Sequence, residues 1–138
     1  DNLIKVICEV ALKKRHQLII NGKDYNTKDG TTIRDYIHVS DLVEMHILAA
    51  RKLITNKSYT AEIYNCGYGN GFSIMDIVKN LNSIIDEGIK YKFGARREGD
   101  AERSVADNSK FVKDFNWKPK YNDLKYILQT ALNWEKKI

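Results

Sequence analysis

The stretch Gly30-Thr31-Thr32-Ile33-Arg34-Asp35-Tyr36-Ile37-His38-Val39-Ser40-Asp41 constrains the fold more than any other part of this chain. Asp29-Gly30 is a turn dipeptide. Tyr36 to Val39 has the aromatic and β-branched content of a strand. Ser40 or Asp41 then suits a helix N-cap, and Glu44 follows Asp41 at capping-box spacing. The order turn, strand, helix start places Arg34 at the mouth of a strand. Side chains alternate along a strand, so Arg34 and Tyr36 share a face. A guanidinium is a planar fork of donors matched to phosphate oxygens. From the residues alone, Arg34 is either an anion site or the partner of Asp35 or another nearby acid.

Periodicity sets the remaining elements. Leu3, Val6, Ile7, Val10 and Ala11 recur at helical spacing, and the cations Lys13-Lys14-Arg15-His16 suit the end of that helix. Gln17 to Asn21 reads as a strand, closed by the turn signal Asn21-Gly22. Leu42, Val43, Met45, Ile47, Leu48, Leu53 and Ile54 make a wide apolar stripe. Such a stripe predicts a helix buried on more than one side, part of it facing a domain outside this chain. Glu62 to Cys66 and Ile89 to Phe93 read as strands. Ser73 with Asp76 forms a capping box for a helix carrying Ile74, Ile77, Val78 and Leu81. Asp107 or Asn108 opens a short helix with Phe111 and Phe115, which Trp117-Lys118-Pro119 breaks. Asn122 or Asp123 starts a last helix with Leu124, Ile127, Leu128, Ala131 and Leu132. The alternation predicts an α/β fold: a small mixed, partly parallel sheet with packed helices, residues 1–138 forming a single domain.

Composition bears on the classes of function. Hydrophobic residues are 43% and charged residues 30%, as in a globular domain. No apolar run approaches the ~18–20 residues of a membrane span, so no membrane partner is expected. The first ten residues hold two acids and a cysteine, unlike a signal peptide, and with no initiator Met the chain reads as a fragment. Cys8 and Cys66 are expected as buried, reduced thiols of a cytoplasmic protein, with a disulfide as the alternative. The net charge of +5 raises nucleic acid as a partner. The basic residues are scattered, however, and no RNA-binding aromatic signature or zinc spacing accompanies them, so no nucleic-acid partner is expected. His16, His38 and His46 lack ligand spacing, and no metal site is expected.

The string Gly30 to Leu42 resembles the signature of UDP-glucose 4-epimerases, in the extended branch of the short-chain dehydrogenase/reductase superfamily. Four other stretches match in the same order: Asn2-Leu3-Ile4, Gly22-Lys23-Asp24-Tyr25 with Asp29-Gly30, Tyr64-Asn65-Cys66-Gly67 with Gly69, and Arg96-Arg97-Glu98-Gly99-Asp100. The resemblance runs from Asn2 to Trp134 and covers the C-terminal part of such an enzyme, with most of the Rossmann domain outside it. It implies a UDP-sugar substrate and NAD-dependent interconversion of UDP-glucose and UDP-galactose. It also implies NAD held by an N-terminal Rossmann domain of the same enzyme, and a homodimeric, cytoplasmic whole. The catalytic Tyr–Lys pair and the cofactor loop would precede this chain, which alone would be inactive.

Residue by residue, the resemblance puts Arg34 and Arg97 on the diphosphate and Asp100 on the ribose hydroxyls. Asn2 and Leu3 match an Asn–Leu pair that contacts the nucleotide. Ile19, Ile20 and Asn21 match the strand along the uracil, and Tyr36 shares the Arg34 face. Ser104, four residues after Asp100, matches the position beside the sugar C2 substituent. Serine there leaves room for an acetamido group, which implies turnover of the N-acetylhexosamine pair as well. Lys5 and Ala101 stand where proline is common, and Asn21 where an aromatic is frequent. Arg96, one residue off the matching position, is assigned to the surface.

Two patterns imitate cofactor chemistry. Gly67-Tyr68-Gly69-Asn70-Gly71-Phe72-Ser73 has Phe72 where the third glycine of a dinucleotide loop belongs, and reads as a turn feeding a capped helix. Tyr121-x-x-x-Lys125 has the spacing of the superfamily's catalytic pair, but it follows Pro119 at a terminal helix and reads as coincidence. A related nucleotide-sugar dehydratase or decarboxylase, and a binding-only or vestigial product, remain open as alternatives.

Overall fold

The computed structural model describes residues 2–55 and 61–138. Helix α1 (Leu3–Ala11) starts where Asn2 Oδ1 accepts the Ile4 N–H at 2.9 Å. That bond satisfies one of the donors a helix start leaves unpaired. Helix α3 (Ile74–Asn82) opens on a complete capping box. Ser73 Oγ accepts the Asp76 N–H at 3.1 Å, and Asp76 accepts the Ser73 N–H at 3.0 Å. Helix α5 (Leu124–Glu135) is capped by Asp123, which accepts the Tyr126 N–H at 2.7 Å.

These three helices pack together over strand β1 (Leu18–Asn21), which pairs in parallel with β4 (Tyr91–Gly94). Ile7, Val10, Leu18, Ile20, Ile77, Val78, Leu81, Leu128 and Leu132 are buried there. Each such side chain contributes roughly 1.5–3 kcal/mol relative to exposure. The second sheet has the order β3-β2-β5. There β2 (Ile33–Arg34) runs antiparallel to β3 (Phe72–Ser73) and parallel to β5 (Arg103–Ser104). A smaller core joins Met45 of α2 (Val39–Thr55), Phe111 of α4 (Ser109–Phe115) and Trp117. The fold is thus α/β, with the mixed and parallel pairings divided between two small sheets. No described helix is long and apolar enough to cross a membrane.

Four expectations are corrected. First, the strand is Ile33–Arg34, and Tyr36 to Val39 does not continue it. The reason is competition for backbone donors. The Asp35 N–H still reaches Ser104 O at 3.2 Å, but the His38 N–H turns to the Tyr68 hydroxyl at 3.2 Å. Second, the start of α2 is capped by neither Ser40 nor Asp41. His38 Nδ1 accepts the Ser40 N–H at 3.1 Å. Asp41 instead turns inward to accept from Lys120 N–H, Tyr121 N–H and the Tyr68 hydroxyl, while Glu44 pairs with Lys120.

Third, no strand forms at Glu62 to Cys66, because no described strand lies alongside to pair with it. Side chains anchor the segment: Lys110 Nζ donates to Ile63 O at 3.0 Å and Lys52 Nζ to Glu62 at 2.7 Å. Both cysteines are free. Fourth, the Cys66 thiol, expected to be buried, is exposed, because its segment joins no sheet that would cover it. Within this chain α2 buries Met45. Val39, Val43 and Ile47, one apolar stripe, are 65%, 50% and 46% exposed. The cations after α1 also do more than face its end: Lys13 pairs with Glu87, Lys14 with Glu135 and Arg15 with Glu9.

Candidate functional site

A cavity of about 380 Å³ opens between α1, β1, β2 and the loop that follows β4. Two strand pairings build it. The β1–β4 register sets Asn21 opposite Gly94, and the chain leaves Gly94 into the loop carrying Arg97 and Asp100. The β2–β5 register sets Arg34 beside Ser104, and Ile33 N–H donates to Glu102 O at 2.9 Å, which brings the loop's far end back to Arg34.

One end of the cavity is polar. Arg34 Nη2 donates to Asp100 Oδ1, and its Nη1 to Ile33 O at 2.7 Å. The Asn21 amide, with its oxygen toward Arg97, accepts from Arg97 Nε at 3.0 Å and Nη2 at 3.2 Å. Tyr36 lines the same cavity. Burial pushes its phenol up to about 12, against the opposing pull of the Arg34 charge, so it stays neutral at pH 7. Leu3, Val6, Leu18, Ile19 and Ile74 add apolar side chains to the lining, and Arg15, Gln17 and Thr32 add polar ones. Two guanidiniums beside a carboxylate can exchange that carboxylate for a doubly charged anion, while apolar lining side chains accept a flat ring.

Of the residues singled out in the sequence, Leu3, Ile19, Asn21, Arg34, Tyr36, Arg97 and Asp100 line this one cavity. Three stand apart. The Asn2 side chain caps α1 and borders a separate hollow with Cys8 and Trp134. Ile20 points into the core, 1% exposed. Ser104 is exposed on β5 beside Arg34. Val6, Arg15, Gln17, Leu18, Thr32 and Ile74 line the cavity without having been singled out. Val6 and Ile74 read as core positions and Arg15 as a helix-end cation. Gln17 was findable, because it continues the two-residue period of Ile19 and Asn21.

The glycine loop does not fit a dinucleotide. The Asp35 carboxylate already accepts from Tyr68 N–H at 3.1 Å, Gly69 N–H at 2.9 Å and Ala106 N–H at 3.4 Å. A Cβ on Gly67 would fall 2.5 Å from Asp35 Oδ2, so glycine is required there for the acid to approach. The donors that would cradle a phosphate are occupied by an internal anion. Tyr121 lies in coil ahead of α5, its ring 4.8 Å from that of His38 and 5.5 Å from that of Tyr126, and it is not among the residues lining the cavity. Burial, with Glu135 nearby, pushes the Cys8 thiol up to about 11, which leaves it unreactive.

The profile of the GDP-mannose 4,6-dehydratase family matches residues 1–130. This chain belongs to that family. Curated relatives of similar sequence carry another activity in their names. The UDP-glucose 4-epimerase of Azospirillum brasilense is 41% identical over 137 residues, 99% of this chain and 39% of the relative. Among solved structures, the UDP-Glc/GlcNAc 4-epimerase of Campylobacter jejuni superposes with a TM-score of 0.85 at 41% identity, covering 99% of this chain and 40% of that one. The UDP-glucose 4-epimerase of Bifidobacterium longum, in complex with NAD+ and UDP, superposes with a TM-score of 0.89 at 32% identity, covering 99% and 39%. The chain therefore spans about two-fifths of the length of the relatives it matches, and corresponds to their C-terminal part.

Proposed function

We propose that residues 1–138 form a single C-terminal UDP-sugar-binding domain of an NAD-dependent UDP-hexose 4-epimerase that interconverts UDP-glucose and UDP-galactose. The observation that carries this reading is one cavity that brings Arg34, Arg97 and Asp100 together with the apolar side chains of Leu3, Val6 and Ile19. The similarity to epimerases, one of them solved with UDP, supports it. In this reading the diphosphate replaces Asp100 as the partner of Arg34, and Arg97 takes the same group from the side of Asn21. Asp100, once released, accepts from the ribose hydroxyls. The strand from Ile19 to Asn21 lies along the base, and the Asn2 amide and the Leu3 main chain meet the nucleotide. Charge-assisted bonds of ~1.5–3 kcal/mol each hold the nucleotide firmly and leave the hexose free to turn over.

The residues of this chain do not fit NAD, since Asp35 fills the one glycine-rich loop. The cofactor belongs to an N-terminal Rossmann domain of the same enzyme. The whole enzyme is read as a cytoplasmic homodimer whose catalytic residues lie in that other part. Ser104 stands beside the sugar and leaves room for an acetamido group, so the N-acetylhexosamine pair is a second substrate. The Campylobacter jejuni neighbour, named for both Glc and GlcNAc, supports this.

Titration calorimetry tests the core of the proposal. UDP should bind, and Arg34→Ala or Arg97→Ala should each raise its Kd about tenfold, or ~1.4 kcal/mol. Unchanged affinity in both variants overturns the diphosphate assignment. GDP binding more tightly than UDP would favour the dehydratase activity for which the family is named.

A further inference from the structure

We infer that Arg96 is a positioning residue that clamps the loop carrying Arg97 and Asp100, an inference that rests on the UDP-sugar reading above. Ala95 to Gly99 are all exposed, so burial does not hold this loop. Its ties to the cavity wall are those of Arg97 to Asn21 and of Asp100 to Arg34. Both ties use the groups that a diphosphate would engage, so neither fixes the loop once a ligand is bound. A hold that survives binding has to come from outside the cavity, and the turn after β1 supplies it. Gly22 N–H donates to Gly94 O at 3.0 Å, which starts that turn beside the point where β4 ends.

Arg96 Nε donates to Asp24 Oδ1 at 2.7 Å, and its Nη2 donates to Asp24 O. The same guanidinium stacks on Tyr25, with Cζ 4.2 Å from the centre of a ring that is 6% exposed. A planar guanidinium makes the fork and the stack at once, which an ammonium does not. Gly22 has φ +85°, and a Cβ there would fall 2.5 Å from Tyr25 Cε2 and 2.9 Å from Arg96 Cγ, so glycine lets the ring and the arginine close over the turn. Beyond Asp100, Glu102 accepts the Asn26 N–H at 3.0 Å. The turn thus grips the loop on both sides of Arg97 and Asp100. Asp24, Tyr25 and Arg96 are not among the residues lining the cavity, so the clamp stays closed while a ligand enters. An exposed ion pair adds little to folding. A loop already held in its binding geometry, however, costs less to order when the ligand arrives.

The test is titration of the whole protein with UDP and with inorganic pyrophosphate, alongside urea unfolding. Arg96→Ala should raise both Kd values about three- to fivefold, with the unfolding midpoint close to that of wild type. Asp24→Ala should raise them too, and the double variant no further than either single change. An arginine that touched the ligand itself would be freed by Asp24→Ala, so tighter binding in that variant overturns the inference. In an Arg97→Ala background, Arg96→Ala should leave the pyrophosphate Kd where Arg97→Ala puts it. A general structural role would weaken binding equally in both backgrounds, and that result also overturns the inference. An unchanged Kd in Arg96→Ala, with a loss in Arg97→Ala, overturns it and leaves the UDP-sugar reading standing. Wild-type protein that does not bind UDP overturns the UDP-sugar reading itself, and this inference with it.

Discussion

Asp29 shows how one side chain ties a turn to a helix. Its Oδ1 accepts the Thr31 N–H at 3.0 Å and the Thr31 hydroxyl at 2.6 Å, and its Oδ2 accepts the Ser73 hydroxyl. Thr31 Oγ1 in turn accepts the Ile74 N–H at 3.1 Å, at the start of α3. Burial would raise the Asp29 pKa, but the bonds from Ser73 and Thr31 together outweigh it and hold the carboxyl below its ordinary 3.8. A depressed folded pKa means that the ionised form favours the fold. The contribution is present above the unfolded value and is lost as pH falls through the folded one. Asp29→Asn should therefore lower Tm at about pH 6, and the gap to wild type should close towards about pH 3, as followed by circular dichroism. A gap independent of pH would sink this account. Ser104 carries a different prediction, resting on the epimerase reading. In the whole enzyme Ser104→Tyr should abolish turnover of UDP-N-acetylglucosamine and spare that of UDP-glucose, as read by product chromatography. Wild-type turnover of UDP-glucose alone, with no change in the variant, would end the assignment.

Helix α2 separates what periodicity can say from what it cannot. Its apolar residues mark a helix correctly, but they do not say which of them will be covered. Met45 is buried against the Phe111 and Trp117 cluster, and Ile47, two residues on, is 46% exposed. Met45→Ala should cost ~2–5 kcal/mol in urea unfolding of this chain, and Ile47→Ala under ~1 kcal/mol. Equal costs would mean that both faces are covered. The elements most legible in the sequence were those with local signals. The Ser73–Asp76 box and Asp123 each cap the helix their spacing announced, because a cap depends on residues two or three apart. The strand readings at Tyr36–Val39 and Glu62–Cys66 failed for the opposite reason. A strand exists only where a second edge takes its donors, and here side chains took them instead.

At the scale of the whole molecule, the cavity draws on residues from Leu3 to Asp100. If the epimerase reading holds, this chain alone should be catalytically silent when given UDP-glucose and NAD, because its glycine-loop donors are committed to Asp35. Turnover above background in a coupled assay would overturn that. The sequence by itself determined the helices, the caps of α3 and α5, the α/β class and the arginine–carboxylate chemistry, all of which rest on residue type and short spacing. It left Gln17 and Thr32 unmarked, and it did not separate Asn21, which meets Arg97, from Ile20, which enters the core. It also left open whether Arg34 would pair with Asp35 or with Asp100, 66 residues away. Only the tertiary structure decided these, because they depend on which strands pair and in what register. Register is set by burial summed over the whole core, and no local window of residues contains that sum.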